Sequence, residues 1–226
     1  MSDNNSRRRY FLKGKKLENL LWQIRCECNL KNDNKNTSND AEIVAETVKE
    51  ETEVFEDFEK SLQLMFIPQK KVAIVGVGNE LKGDDGAGPL FTEVLSKKLA
   101  QLPDEVRIKI YTRLFVVNSG TAPENITGAL RRFSPEVIIF VDAAEIGMAP
   151  GSIGIFPPES LGNSPLSTHT LPLKIIIEYL KTELHAKYYI IGIQPHSTEP
   201  AAEISAEVTD AVYILSEAII KLVSGQ

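Results

Sequence analysis

The stretch KVAIVGVGNELKGDDGAGP, Lys71–Pro89, decides how the rest of the chain is read. Val72, Ala73, Ile74 and Val75 form a short continuous apolar run, the pattern of a strand buried on both faces of a parallel sheet. Gly76 and Gly78 permit a tight turn, and a helix is expected from about Gly86. Such a strand–loop–helix projects its loop from the carboxyl edge of a sheet, where open α/β proteins place their sites. The loop carries two adjacent carboxylates, Asp84 and Asp85, at the first turn of the helix.

Phosphate binding fits this loop poorly. A dinucleotide fingerprint needs glycine where Leu81 stands, and a P-loop needs Lys-Ser/Thr where Asp84 and Asp85 follow Gly83. A helix N-terminus favours a neighbouring carboxylate in its ionised form, so the loop suits a cation better than an anion. Equal weight falls on a plainer reading, in which Asp84 caps the helix and Asp85 complements its dipole.

Composition bounds the rest. The 226 residues are 42% hydrophobic and 25% charged, the make-up of one ordinary globular domain with something added. A formal net charge of −6 leaves no basic footprint for nucleic acid. No apolar run reaches membrane-spanning length. Cys26 and Cys28 are the only cysteines and have no second pair at zinc spacing, so reduced thiols are expected and a disulfide framework is excluded.

Residues 1–67 differ in character from 68–226 and are read as an N-terminal extension. Arg7-Arg8-Arg9 begins like a twin-arginine export signal, but Gly14, Lys15, Lys16 and Glu18 stand where its apolar core belongs. Leu17, Leu20, Leu21 and Ile24 recur at helical spacing, Asn29–Asp40 reads as a polar linker, and Ala41–Met65 as one or two acidic helices. From Lys71 onward helices at about Gly86–Leu99, Pro123–Phe133, Leu171–Leu184 and Ala202–Val223 alternate with strands. The strands are Val72–Gly76, Ile108–Val117, Val137–Asp142, Gly151–Phe156 (antiparallel, because it follows too closely for a crossover) and Tyr188–Ile193. The fold class is α/β: a three-layer α/β/α sandwich on a five-stranded, mostly parallel sheet.

Two further residues reach the rim of the first loop in that topology. Asp142 ends the apolar strand Val137–Val141, where an innocent turn cap and a metal role carry similar weight. His169 stands at a loop–helix junction, unlike His185 and His196; alone it would read as structural. Together Asp85, Asp142 and His169 make an O,O,N donor set for nickel, zinc, manganese or iron(II), and spacing does not choose among them. A serine hydrolase built on Ser167, Asp142 and His169 lacks a G-x-S-x-G elbow.

GVGNELKGDDGAGP, VDAAEIGMAPGSI, STHTLPL and GIQP, with SGTAPEN at Ser119–Asn125, resemble the hydrogenase maturation proteases, in particular the formate-hydrogenlyase-type subgroup. The resemblance runs from about Lys70 to the C-terminus and implies an endopeptidase that removes the C-terminal extension of a nickel–iron hydrogenase large-subunit precursor after nickel insertion. It implies that Asp85, Asp142 and His169 are the catalytic and nickel-recognition residues, with nickel supplied by the precursor. Whether Asp85 is only a ligand or also a general base stays open. Many members have Asp-Gly-Gly where this chain has Asn118-Ser119-Gly120. A cytoplasmic monomer is expected, with the precursor as partner. The competing class is a non-proteolytic metallochaperone or assembly scaffold of the same fold.

Overall fold

Val72–Val77 is buried at every position, because it pairs on both sides and carries a packed layer on each face. A computed structural model of the chain describes residues 10–12, 58–67, 69–160 and 170–225. Arg7–Arg9, the Leu17–Ile24 stretch, the Asn29–Asp40 linker, both cysteines, Ser167 and His169 lie outside the described residues. The described elements run β1 (Tyr10–Leu12), β2 (Val72–Val77), α1 (Ala87–Ala100), α2 (Asp104–Tyr111), β3 (Leu114–Gly120) and α3 (Thr127–Phe133). They continue with β4 (Val137–Ala143), β5 (Ile153–Phe156), α4 (Thr170–Glu183), β6 (Lys187–Ile193) and α5 (Ala206–Ser224).

The sheet order is β1-β5-β6-β4-β2-β3. Strands β3, β2, β4 and β6 are mutually parallel, and β5 lies antiparallel on β6, as its short connection requires. The five strands expected from the sequence are therefore present. A sixth is added at the edge by the N-terminal extension, whose Tyr10, Phe11 and Leu12 pair antiparallel with Ile155, Gly154 and Ile153.

Alternation along the strands feeds two cores. On one face Val72, Ile74, Ile139 and Ile191 meet α1 and α5, together with Phe58, Leu62, Met65 and Phe66 from the helical segment 58–65 and its end. On the other, Ala73, Val75, Ile138 and Phe140 meet Leu130 of α3 and Leu173, Ile177 and Leu180 of α4. Among the described residues no helix is long and apolar enough to cross a membrane.

The expected strand Ile108–Val117 begins too early, since the strand observed is Leu114–Gly120. Ile108 and Ile110 flank Lys109 in a period of two and read as β, yet Asp104–Tyr111 is helical. Pro103 stands at the N-cap and Asp104 and Glu105 fill the first turn, which favours helix initiation. The core takes Val106 and Ile110, one helical turn apart, and leaves Ile108 64% exposed.

The junction of β2 and α1 is held by close backbone approach. A Cβ on Gly88 would lie 2.3 Å from both the Val77 and the Val141 carbonyl oxygens. Alanine normally gains about 1 kcal/mol over glycine inside a helix. Here two backbone oxygens reverse the sign, and Gly88→Ala is expected to cost about 3 kcal/mol, read as a lower urea midpoint. Burial also pushes the Tyr188 phenol up to about 12, and its hydroxyl donates to the Leu184 carbonyl at 3.2 Å. The folded state thus holds this proton more tightly than the unfolded chain, whose tyrosine titrates near 10. The resulting stability is complete below about pH 10 and is lost as pH rises through about 12. Urea midpoints across that window are expected to fall less steeply in Tyr188→Phe, which loses about 1 kcal/mol at neutral pH.

Candidate functional site

The loop after β2 is knitted by its own backbone. Gly78 turns at a φ of 141°, Asn79 N–H donates to the Asp85 carbonyl at 3.1 Å, and Asp85 N–H donates to the Lys82 carbonyl at 3.1 Å. The Asn79 side chain accepts from Leu81 N–H at 3.0 Å. These bonds shape a single 3-10 turn, Gly83–Gly86, before α1 begins. Asp84 and Asp85 are 0% and 1% exposed on it, so neither is a solvated surface acid.

The Asp84 carboxylate accepts from His196 N–H at 2.7 Å, Ser197 N–H at 3.1 Å, Ser205 N–H at 2.6 Å and the Ser205 hydroxyl at 3.0 Å. Its own backbone N–H returns a bond to the Ser197 carbonyl at 3.0 Å, and Gly83 N–H donates to the Ala202 carbonyl at 3.1 Å. Ser205 is the N-cap of α5, accepting from Val208 N–H. Asp84 is thus a helix-terminus acid as the plainer reading has it, but the helix is α5 and not its own, which makes no side-chain cap bond.

Asp142 arrives from the next strand. It is 1% exposed, lies in β4 opposite Gly192 of β6, and by alternation belongs to the face of Ile138 and Phe140. That face is covered by α4. Only residues 184–186 separate α4 from the amino end of β6, so its fourteen residues, about 21 Å of helix, run back and set Thr170 at the carboxyl rim. The structure therefore brings Asp85 and Asp142 to the same rim from adjacent parallel strands, and brings the helix that follows His169 there too. His169 itself lies outside the described residues. Among those residues no group of three His, Cys, Asp or Glu is placed to hold a metal ion.

One residue of this rim escapes the sequence reading. Gln194 is 6% exposed, and its side chain accepts from Ile146 N–H at 2.8 Å and Met148 N–H at 3.3 Å. Its amide nitrogen donates to Glu145 at 2.8 Å and to the Pro195 carbonyl at 3.1 Å. The available signal was the glutamine in Gly192–Pro195, a polar residue directly after a buried apolar strand. Beside the rim, a groove of about 220 Å³ runs between α1 and β3, lined by Glu80, Pro89, Thr92, Glu93, Val116 and Asn118. Asn118 donates there to Glu80 at 3.2 Å.

Residues 93–222 match the family model for HycI, the hydrogenase maturation protease. The chain belongs to this family. The matched part of this maturation protease contains Asp142 and His169 and starts after Asp85. A candidate hydrogenase maturation protease of Methanocaldococcus jannaschii is 38% identical over 126 residues, 56% of this chain and 73% of that one. The hydrogenase 3 maturation protease of Escherichia coli is 34% identical over 137 residues, covering 60% and 80%. The crystal structure of the nickel–iron hydrogenase maturation protease HycI from Thermococcus kodakarensis superposes with a TM-score of 0.62 at 31% identity, over 72% of this chain and 98% of that one.

Removing the Asp84 carboxylate would take their shared buried acceptor from three backbone N–H groups and a hydroxyl. Asp84→Ala is expected to cost about 3 kcal/mol or more, a fall of about 10 °C in melting temperature by calorimetry. A change below about 2 °C would show that this junction is held by something else.

Proposed function

We propose that the chain is an endopeptidase that removes the C-terminal extension of a nickel–iron hydrogenase large-subunit precursor once nickel is in place. The observation that carries this is the pair of buried carboxylates, Asp85 and Asp142, delivered to one rim by adjacent parallel strands in a chain of this family. Buried acids at the end of a sheet are costly unless hydrogen-bonded, paired or ligating. With the imidazole of His169 they supply two hard oxygens and one nitrogen, a set that suits a divalent first-row ion and leaves positions for the precursor's own ligands.

Nickel is here part of the substrate. Its contacts with Asp85, Asp142 and His169 anchor the cleavage segment, so a precursor without nickel lacks one set of docking contacts. Hydrolysis adds water to the scissile carbonyl and transfers a proton to the leaving amine. A carboxylate at this rim would take the proton from the water, and nickel held by Asp85, Asp142 and His169 would supply Lewis-acid polarisation of the carbonyl. The enzyme acts as a cytoplasmic monomer on a protein substrate, with no nucleic acid and no membrane insertion.

Incubation with nickel-loaded precursor is expected to give a shortened product by mass spectrometry, and nickel-free precursor none. Outer-shell partners of a metal already cost 10–100-fold, so Asp85→Ala, Asp142→Ala and His169→Ala are each expected to lower the cleavage rate by at least about 100-fold. Full activity in all three variants would remove the mechanism. A precursor bound with nickel but never shortened would favour an assembly scaffold instead.

A further inference from the structure

The turn that carries Asp85 and the loop that follows Asp142 are both hydrogen-bonded to the tetrapeptide Gln194–Ser197. From one side, Ile146 N–H and Met148 N–H donate to Gln194 Oε1, while Gln194 Nε2 donates to Glu145, three residues past Asp142. The backbone adds Gly151 N–H to the Gln194 carbonyl at 2.9 Å and Gln194 N–H to the Ser152 carbonyl at 2.8 Å. From the other side, His196 and Ser197 donate to Asp84, the covalent neighbour of Asp85. Pro195, with its φ fixed by the ring, joins the two halves.

The chemistry of position 194 is narrow. The Gln194 amide makes two bonds as acceptor and two as donor. A glutamate there could not donate to Glu145, and an apolar side chain would do neither. Metal sites hold their donor distances to within about 0.2 Å, so a loop shift too small to unfold the domain is enough to lose an ion.

We propose that Gln194 and Asp84 are positioning residues forming one bracket, which sets the separation of the Asp85 and Asp142 carboxylates and through it the affinity for the metal. This rests on the metal reading above. A purely structural role would lower the melting temperature and leave metal affinity alone in the folded protein. The bracket demands that affinity fall while the fold persists.

The test is nickel(II) affinity of the full chain, measured by competition with a chromophoric chelator well below the melting temperature of each variant. Gln194→Ala is expected to weaken nickel binding by about 10–100-fold, and Ser205→Ala, which removes one donor to Asp84, to weaken it in the same direction. The exchange Gln194→Glu with Glu145→Gln, in which the amide at 145 donates to the carboxylate at 194, is expected to recover affinity relative to Gln194→Glu alone. Leu180→Ala, in the core on the α4 face, is expected to melt lower and bind nickel as the wild type does. Gln194→Ala and Ser205→Ala that bind nickel normally, where Asp85→Ala and Asp142→Ala do not, would overturn the bracket and spare the metal reading. Unchanged binding in Asp85→Ala and Asp142→Ala would end both. Should Gln194→Ala fail to fold, Ser205→Ala and the exchange pair decide by the same criteria.

Discussion

A carboxylate with no solvent exposure and four donors around it is the joint on which this domain turns. Asp84 ties the turn after β2 to residues 196–205 and to the first turn of α5. Each of these groups would be unsatisfied without the others, and the low-dielectric surroundings make every bond stronger and every omission more expensive. The positive end of the α5 dipole adds to the same balance. The consequence is that a loop of three glycines and several charges, which composition alone would mark as pliable, is tied down at its centre.

The sheet supplies the other half of the geometry. Parallel pairing of β2 with β4 sends both chains out at the same edge, and close approach at Gly88 presses the start of α1 onto Val77 and Val141. Asp142 then sits one residue beyond that contact. That two acids from distant parts of the chain reach one rim thus follows from strand register and a missing side chain.

Much of this was legible in the residues. Unbroken apolar runs at Val72–Val75 and Val137–Val141 report burial on both faces, and the short interval before Ile153 forces an antiparallel strand. Two things were not. The helix Asp104–Tyr111 carries a period-2 pattern that local capping and the demand of the core for Val106 and Ile110 override. The partners of Asp84 and Gln194 lie far away in sequence, up to 121 residues for Asp84, and no local pattern encodes them. Nothing in the pair of adjacent aspartates announces that Asp84 reaches the start of α5.

The segment 58–65 carries a consequence for anyone shortening the chain. Phe58, Leu62, Met65 and Phe66 are between 1% and 6% exposed and form part of the layer under α1 and α5. Burying a side chain of this size contributes about 1.5–3 kcal/mol. Four of them are comparable with the entire net stability of an ordinary domain, about 5–15 kcal/mol. A recombinant fragment cut at the change in composition near residue 67 would lose this wedge and leave a greasy trench in its place, inviting aggregation.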